Sequence, residues 1–272
     1  MQTNQLFCFL FVALAFIVGC SGPKLLTAST GMKMVWNDEF NYTGLPDKTK
    51  WNYDVGGNGW GNNELQYYTA DRLENARVEN GHLVIEARKE DWQGKNYTSA
   101  RLLTKGKGDW TYGRIEVKAR LPKGLGSWPA IWMLGSVTPL KWPDDGEIDI
   151  REHVGYDQGK IHASIHTRDY NHVINTQRTA IMDVPDCSEQ FHVYALDWTK
   201  DTIIISVDDR TYFSFGNEHK GTGTWPFDSP FHILLNIAVG GNWGGQKGVD
   251  NNAFPMKMEI DYVRVYQSPG KQ

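Results

Sequence analysis

The amino-acid sequence predicts an all-β fold, and three observations carry that expectation. Short stretches in which apolar and polar residues alternate recur along the chain, the pattern of strands with one buried face. No stretch of about a dozen residues repeats its apolar positions at helical spacing. Gly, Asn, Asp and Pro gather between the apolar runs, where chain reversals need them. Many short strands without helices bury their apolar faces by closing into a sandwich or a barrel. A chain of 272 residues with no internal repeat and no second regime of composition is expected to place them in one domain, large enough to hold a core unaided.

The chain opens on an apolar run from Leu6 to Val18, too short to span a bilayer comfortably. It ends in Ile17-Val18-Gly19-Cys20 and continues into Ser21-Gly22-Pro23. A short apolar segment closed by small residues predicts a secretion signal over residues 1–19. The Val-Gly-Cys ending resembles a bacterial lipobox, which makes Cys20 the expected site of lipidation in an exported, membrane-anchored lipoprotein. The alternative is ordinary cleavage nearby, giving a periplasmic or secreted protein. Met1-Gln-Thr-Asn-Gln5 carries no Lys or Arg, a departure from the usual signal. Residues 20–32 read as a tether, and the folded domain is expected over residues 33–268. With Cys8 in the signal and Cys20 in the lipobox, Cys187 stands alone, so no disulfide within the mature domain is possible.

Order is expected to begin near Met34-Val-Trp-Asn-Asp-Glu-Phe40. Residues 82–87 and 113–120 alternate, and residues 191–198 and 202–207 follow as strands. An Asp208-Asp209 turn leads into residues 211–215; residues 231–239 form a nearly continuous apolar strand, and residues 256–266 alternate to the end.

Between them, Trp142-Pro-Asp-Asp-Gly-Glu147-Ile-Asp149-Ile-Arg-Glu152 carries three carboxylates separated by aliphatic residues. Glu147 and Asp149 are two apart and share a strand face. Glu152 is an odd five from Glu147 and would point into the core of a regular strand, where an unpaired carboxylate is costly. One extra residue, a β-bulge near Ile150-Arg151, returns it to the acidic face. Two glutamates leaning together there could approach the separation of about 5–5.5 Å that retaining glycosidases need. A solvated acidic strand and a calcium loop are the plainer readings. Against them, clustered like charges disfavour a strand face, and calcium loops space their oxygens through Gly, Asn and Asp rather than isoleucine.

The loops supply a partner for those acids. Residues 56–64, 126–135 and 240–245 each combine Gly with Trp, and two of them with Asn, among the chain's eleven Trp. Trp128 and Trp132, four apart, would share one face if that segment is extended. Aromatic side chains beside Gly and Asn make stacking surfaces for sugars. The net charge of −4 and the absence of a basic run exclude the electrostatic footprint of nucleic-acid binding. His162 and His166 hint at zinc but lack a partner motif, and no nucleophile elbow, phosphate loop or dinucleotide fingerprint is present.

Taken together, Trp36-Asn-Asp-Glu-Phe40, Asn63-Glu-Leu-Gln-Tyr-Tyr68, Gly126-Ser-Trp-Pro-Ala-Ile-Trp-Met-Leu-Gly135, Gly146-Glu-Ile-Asp-Ile-Arg-Glu152, residues 230–243 and Asp261-Tyr-Val-Arg-Val-Tyr266 resemble glycoside hydrolase family 16, in its bacterial laminarinase (endo-β-1,3-glucanase) branch. The resemblance covers residues 34–267. It implies a β-jelly-roll sandwich of two antiparallel sheets with a concave substrate cleft. It further implies double displacement, with Glu147 as nucleophile, Glu152 as general acid/base and Asp149 between them. Asn58, Arg101, Trp128, Trp132, Trp142 and His166 correspond to sugar contacts in the family, as do Asn242 and Trp243. Relatives often hold a structural calcium, for which Glu39, Gly81 and Asp261 are the matching positions; catalysis itself needs no cofactor. The implied partner is a β-glucan polysaccharide, met by a monomer that touches a membrane only through its lipid anchor. Mixed-linkage β-1,3-1,4-glucanase, agarase or carrageenase activity and non-catalytic glucan binding are the rivals. Retention of all three acids speaks against binding alone, and Lys141 and Arg151 are the only cations near them for a sulfated substrate.

Overall fold

A computed structural model describes residues 31–269; the expected signal, Cys20 and most of the tether lie outside the described residues. The strands are β1 (Lys33–Asp38), β2 (Asn52–Asp54), β3 (Gln66–Tyr68), β4 (Ala76–Glu79), β5 (His82–Trp92) and β6 (Lys95–Ser99). Then come β7 (Arg101–Leu103), β8 (Gly113–Arg120), β9 (Ser127–Gly135), β10 (Glu147–Glu152), β11 (Lys160–His166) and β12 (Arg178–Asp183). The last are β13 (His192–Trp198), β14 (Thr202–Val207), β15 (Arg210–Gly216), β16 (Phe231–Val239) and β17 (Met256–Gln267). Among the described residues the only helices are two single 3-10 turns, at His172–Ile174 and Asn251–Ala253.

The strands form two sheets. One runs β15-β14-β13-β8-β17-β5-β6-β3 with β1 and β4 attached, the other β12-β11-β10-β9-β16-β7-β2. Alternation decides what each face meets. On β16, Phe231, Ile233, Leu235, Ile237 and Val239 enter the shared core, and Asn236 and Ala238 face the opposite way. Ile115, Val117, Leu196 and Val263 of the larger sheet complete that core. The all-β jelly-roll expectation holds, with one departure: β3 and β6 pair in parallel, so the sheets are not wholly antiparallel.

A second departure is residues 126–135, grouped with the loops by their Gly, Pro and Trp but forming β9 at the centre of the smaller sheet, between β10 and β16. Pro129 brings no ladder donor. Its carbonyl, which accepts from His153 N–H, faces the side where β10 ends at Glu152, so little pairing is lost there. Trp128, Ala130, Trp132 and Leu134 then share one face of the strand.

The bulge is where the spacing of the acids requires it. The register of β10 slips between Asp149 and Arg151 against β9, and between Asp149 and Glu152 against β11. Ile150 and Arg151 both turn inward and are fully buried, which leaves Glu152 on the cleft side with Glu147 and Asp149. The larger sheet braces this irregular point. Tyr212 Oη donates to the Ile150 carbonyl at 3.0 Å, and Arg151 donates to Pro129 O at 2.9 Å and to Met258 Sδ at 3.0 Å. Its guanidinium also lies 5.5 Å from the Tyr194 ring. Among the described residues Arg151 has no carboxylate partner, and burial pulls its pKa down. It points away from the cleft and adds no positive charge to the sugar-binding surface.

Candidate active site

The cleft crosses the outer face of the smaller sheet in two connected halves. One, about 380 Å3, is lined by Trp60, Arg101, Trp132, Trp142, Asp149 and Asn236 among others. The second, about 410 Å3, is lined by His162, His166, Gln177, Thr179, Asn242 and Trp243 among others. Glu147 and Glu152 border both, so the acids sit where the halves meet.

Each glutamate is held by an indole. Trp142 Nε1 donates to Glu147 Oε2 at 2.7 Å, and Trp128 Nε1 donates to Glu152 Oε1 at 2.9 Å. Asp149 lies between them, 2% exposed, with His166 Nε2 at 3.2 Å from its Oδ2 and 3.9 Å from Glu147 Oε1. Burial pushes the Asp149 carboxyl well above its usual range, and the charge of Glu147 and a hydrogen bond shared with it add to that. Three carboxyls this close cannot all ionise at once, and Asp149 is the one whose burial and charged neighbour favour the protonated form. Glu152 is also raised well above the carboxylate range, first by desolvation and then by Asp149, against the opposing indole hydrogen bond. The site thus pairs an indole-bonded glutamate with a second whose surroundings favour its protonated form, the division of labour that acid-assisted glycosyl transfer requires. Glu147, Asp149 and His166 are near enough to hold a metal ion, but a cation there would take the proton's place between Asp149 and Glu147 and compete for the oxygen that Trp142 holds.

Aromatic surfaces extend the site on both sides. The Arg101 guanidinium stacks on Trp60 at 4.8 Å and Trp132 at 4.6 Å while its Nε lies 2.9 Å from Asp54 Oδ2. Arg101 therefore belongs to the cleft wall while it pairs with Asp54. Trp132 Nε1 donates to Asn236 Oδ1 at 2.8 Å, and Asn236 Nδ2 donates to Tyr68 Oη at 3.0 Å. Tyr68 and Gln66 in turn donate to the buried Glu64, whose carboxyl burial pushes up. On the far side Trp243 packs edge-on against Trp128 and His162 at 5.5 and 4.9 Å, and Asn242 Oδ1 accepts from Asn63 Nδ2. His162 and His166 serve separate neighbours, Trp243 and Asp149, and form no zinc pair.

Asn58 is not among the residues that line either half of the cleft. It is exposed, and its Oδ1 accepts the Trp60 N–H at 3.0 Å, holding a turn. The same loop delivers Trp60 and Asn62 to the cleft instead. Sequence reasoning also missed Asn236, whose signal was a lone carboxamide inside an apolar run, and His172, which had none. The register of β17 with β1 and β5 brings the neighbourhoods of Glu39, Gly81 and Asp261 together near the middle of β17. Carboxylate and carbonyl oxygens suit calcium. Here Glu39 is engaged by Arg264 Nε and Nη2 at 2.8 Å and Asp261 by Lys118 at 2.8 Å, so a cation would have to draw both acids from these partners.

An aromatic cleft across a β-sandwich, with paired glutamates at its centre, defines a polysaccharide-directed glycoside hydrolase. The chain belongs to glycosyl hydrolases family 16, which residues 63–264 match. It is 53% identical over 264 residues to a beta-glucanase of Rhodothermus marinus, covering 93% of this chain and 92% of that protein. The solved laminarinase of Rhodothermus marinus superimposes with a TM-score of 0.85 at 56% identity, over 87% of this chain and 97% of that one. A non-specific endo-β-1,3(4)-glucanase of the family, SCLam, gives a TM-score of 0.85 at 55% identity, over 88% and 92% of the two chains.

The raised carboxyl of Glu152 predicts a stability effect with a definite sign. A group with a raised folded pKa contributes stability that is present at low pH and lost as pH rises through that pKa. Glu152→Gln cannot lose the proton, and its carbonyl still accepts from Trp128. Its Tm relative to the unsubstituted protein is expected to climb as pH rises above the ordinary glutamate value of 4.5; calorimetry showing a constant difference would contradict the assignment.

Proposed function

We propose that this protein is a retaining endo-glycoside hydrolase that cleaves β-1,3-glucan by double displacement at Glu147 and Glu152. The observation that carries the reading is the pair of indole-held glutamates on one face of a bulged strand, where the two halves of an aromatic cleft meet. Glu147, ionised and oriented by Trp142 and Asp149, attacks the anomeric carbon. Glu152 gives its proton to the departing glycosidic oxygen, and the product chain leaves. Glu152, now a carboxylate, takes a proton from water as that water attacks the glycosyl–Glu147 ester, and both acids return to their starting states. No cofactor takes part. Trp60, Trp132 and Trp142 on one side and Trp243 on the other offer faces for sugar rings. The solved Rhodothermus marinus relative is named a laminarinase. The likeness to SCLam, named for action on β-1,3(4)-glucan, favours tolerance of 1,4 linkages as a second reading. Glu147→Gln and Glu152→Gln are each expected to lower kcat on laminarin by a factor of about 10^3 or more, and proton NMR is expected to show the β-anomer first. Full activity in Glu147→Gln, or first release of the α-anomer, would exclude the mechanism.

We further infer a calcium ion bound through Glu39, Gly81 and Asp261, supported by the strand registers that bring the three together along β17. Added calcium is expected to raise Tm by about 2–4 °C, and identical melting in chelator and in millimolar calcium would dismiss the site. Export as a lipoprotein anchored at Cys20, acting as a monomer on an external polymer, completes the proposal and fits a substrate too large to enter a cell. A Cys20→Ala chain that stays with the membrane fraction as fully as the parent would refute the anchor.

A further inference from the structure

Five residues border both halves of the cleft: Asn62, Trp128, Glu147, Glu152 and His172. A bound glucan passes from one half to the other over the two acids, so these five surround the bond that is cut. Two are the catalytic acids, and Trp128 holds one of them. His172 has no part in the mechanism so far. It enters from the β11–β12 connection at one end of the smaller sheet, and Asn62 comes from the β2–β3 connection at the opposite end.

We propose that His172 is a substrate-contacting residue at the cleavage point, whose imidazole hydrogen-bonds a hydroxyl of a sugar ring flanking the scissile bond and helps to seat that bond between Glu147 and Glu152. The inference rests on the glucanase reading above and names one more member of the same site.

The geometry prepares the ring for that contact. Its centroid is 5.1 Å from the Trp142 ring and 5.2 Å from His166, to which it stands at 86°. Both neighbours touch or adjoin Glu147. The turn that carries it is rigidly tied. Asn171 Oδ1 accepts the Val173 and Ile174 N–H groups, and its Nδ2 donates to the Thr167 and Arg168 carbonyls. Asn175, left-handed at φ 56°, closes the turn by donating its N–H to the His172 carbonyl. These bonds use Asn171, Thr176 and the backbone, and no His172 ring nitrogen takes part in them among the described residues. Burial, with His166 adding to it, draws the imidazole pKa down. A neutral imidazole offers one donor and one acceptor, the pair that suits a sugar hydroxyl.

The plain alternative is a packing role, with the ring serving only to prop Trp142. Two substitutions separate them. His172→Phe keeps a flat ring against Trp142 and His166 but removes both polar atoms; His172→Gln removes the ring but can still donate and accept. With laminarin as substrate, His172→Phe is expected to lose about tenfold in kcat/KM, most of it in kcat, with an unchanged Tm. His172→Gln is expected to recover most of the loss. Three outcomes overturn the proposal: His172→Phe as active as the parent, His172→Gln no better than His172→Phe, or a loss confined to KM, which places any contact away from the cleavage point. Glu147→Gln, assayed beside them, keeps the two readings apart. Turnover by that variant defeats the glucanase site itself, whereas a dead Glu147→Gln beside an unimpaired His172→Phe defeats this inference alone.

Discussion

One inserted residue in β10 governs this molecule. Side chains on a strand alternate with period two, so five positions after Glu147 belongs to the core. The slip at Ile150-Arg151 moves Glu152 back to the cleft and drives two consecutive side chains inward. A bulge leaves part of the ladder unpaired, and here the opposite sheet takes up the slack: Tyr212 caps the Ile150 carbonyl, and Arg151 ties β10 to Pro129 of β9 and Met258 of β17. The placement of the acid therefore depends on the packing of the two sheets against each other. An unpaired, fully buried guanidinium is a costly brace, and its cost lies directly beneath the residue that the reaction needs.

The same trade appears in the acids themselves. Burying Asp149 beside Glu147 raises its pKa and keeps a proton in the site, while desolvation does the same for Glu152. A neutral residue at either place would be easier to fold. Each glutamate also takes an indole N–H from a Trp that lines the cleft, so orientation of the carboxylates and shaping of the sugar-binding surface are done by the same side chains. Trp132 is positioned in a longer relay through Asn236, Tyr68, Gln66 and Glu64, which spreads the demand for order across β16 and β3.

His172 extends this logic to the far end of the sheet. The turn that carries it has no hydrophobic core of its own, with Val173 and Ile174 both exposed, and Asn171 supplies the order instead through four hydrogen bonds. The cleft is thus floored by strands whose faces are set by alternation, and closed at the acids by connections from opposite edges whose shape is set by single Asn side chains.

Much of this was legible in the sequence, because it rests on spacing. Alternation marked the long strands, and the odd distance from Glu147 to Glu152 required the bulge without reference to any other part of the chain. Trp128 and Trp132 were placed on one face by their separation of four, although their Gly and Pro neighbours disguised a central strand as a loop. What spacing could not decide was which way the irregular segments point. Asn58 and Asn62 sit in one Gly-rich loop with equal claims, and the turn at Trp60 gives the cleft to Asn62. Arg151 looked like a cation beside the acids, and only the second sheet shows it pointing inward. His172 gained its place because sheet order carries the β11–β12 connection to the edge of the cleft. The sequence by itself determined the clearly alternating strands and the parity of the acids, since those are local consequences of a period-two backbone. The tertiary structure decided the walls of the cleft, since these are contacts between segments far apart in the chain whose direction no local repeat encodes.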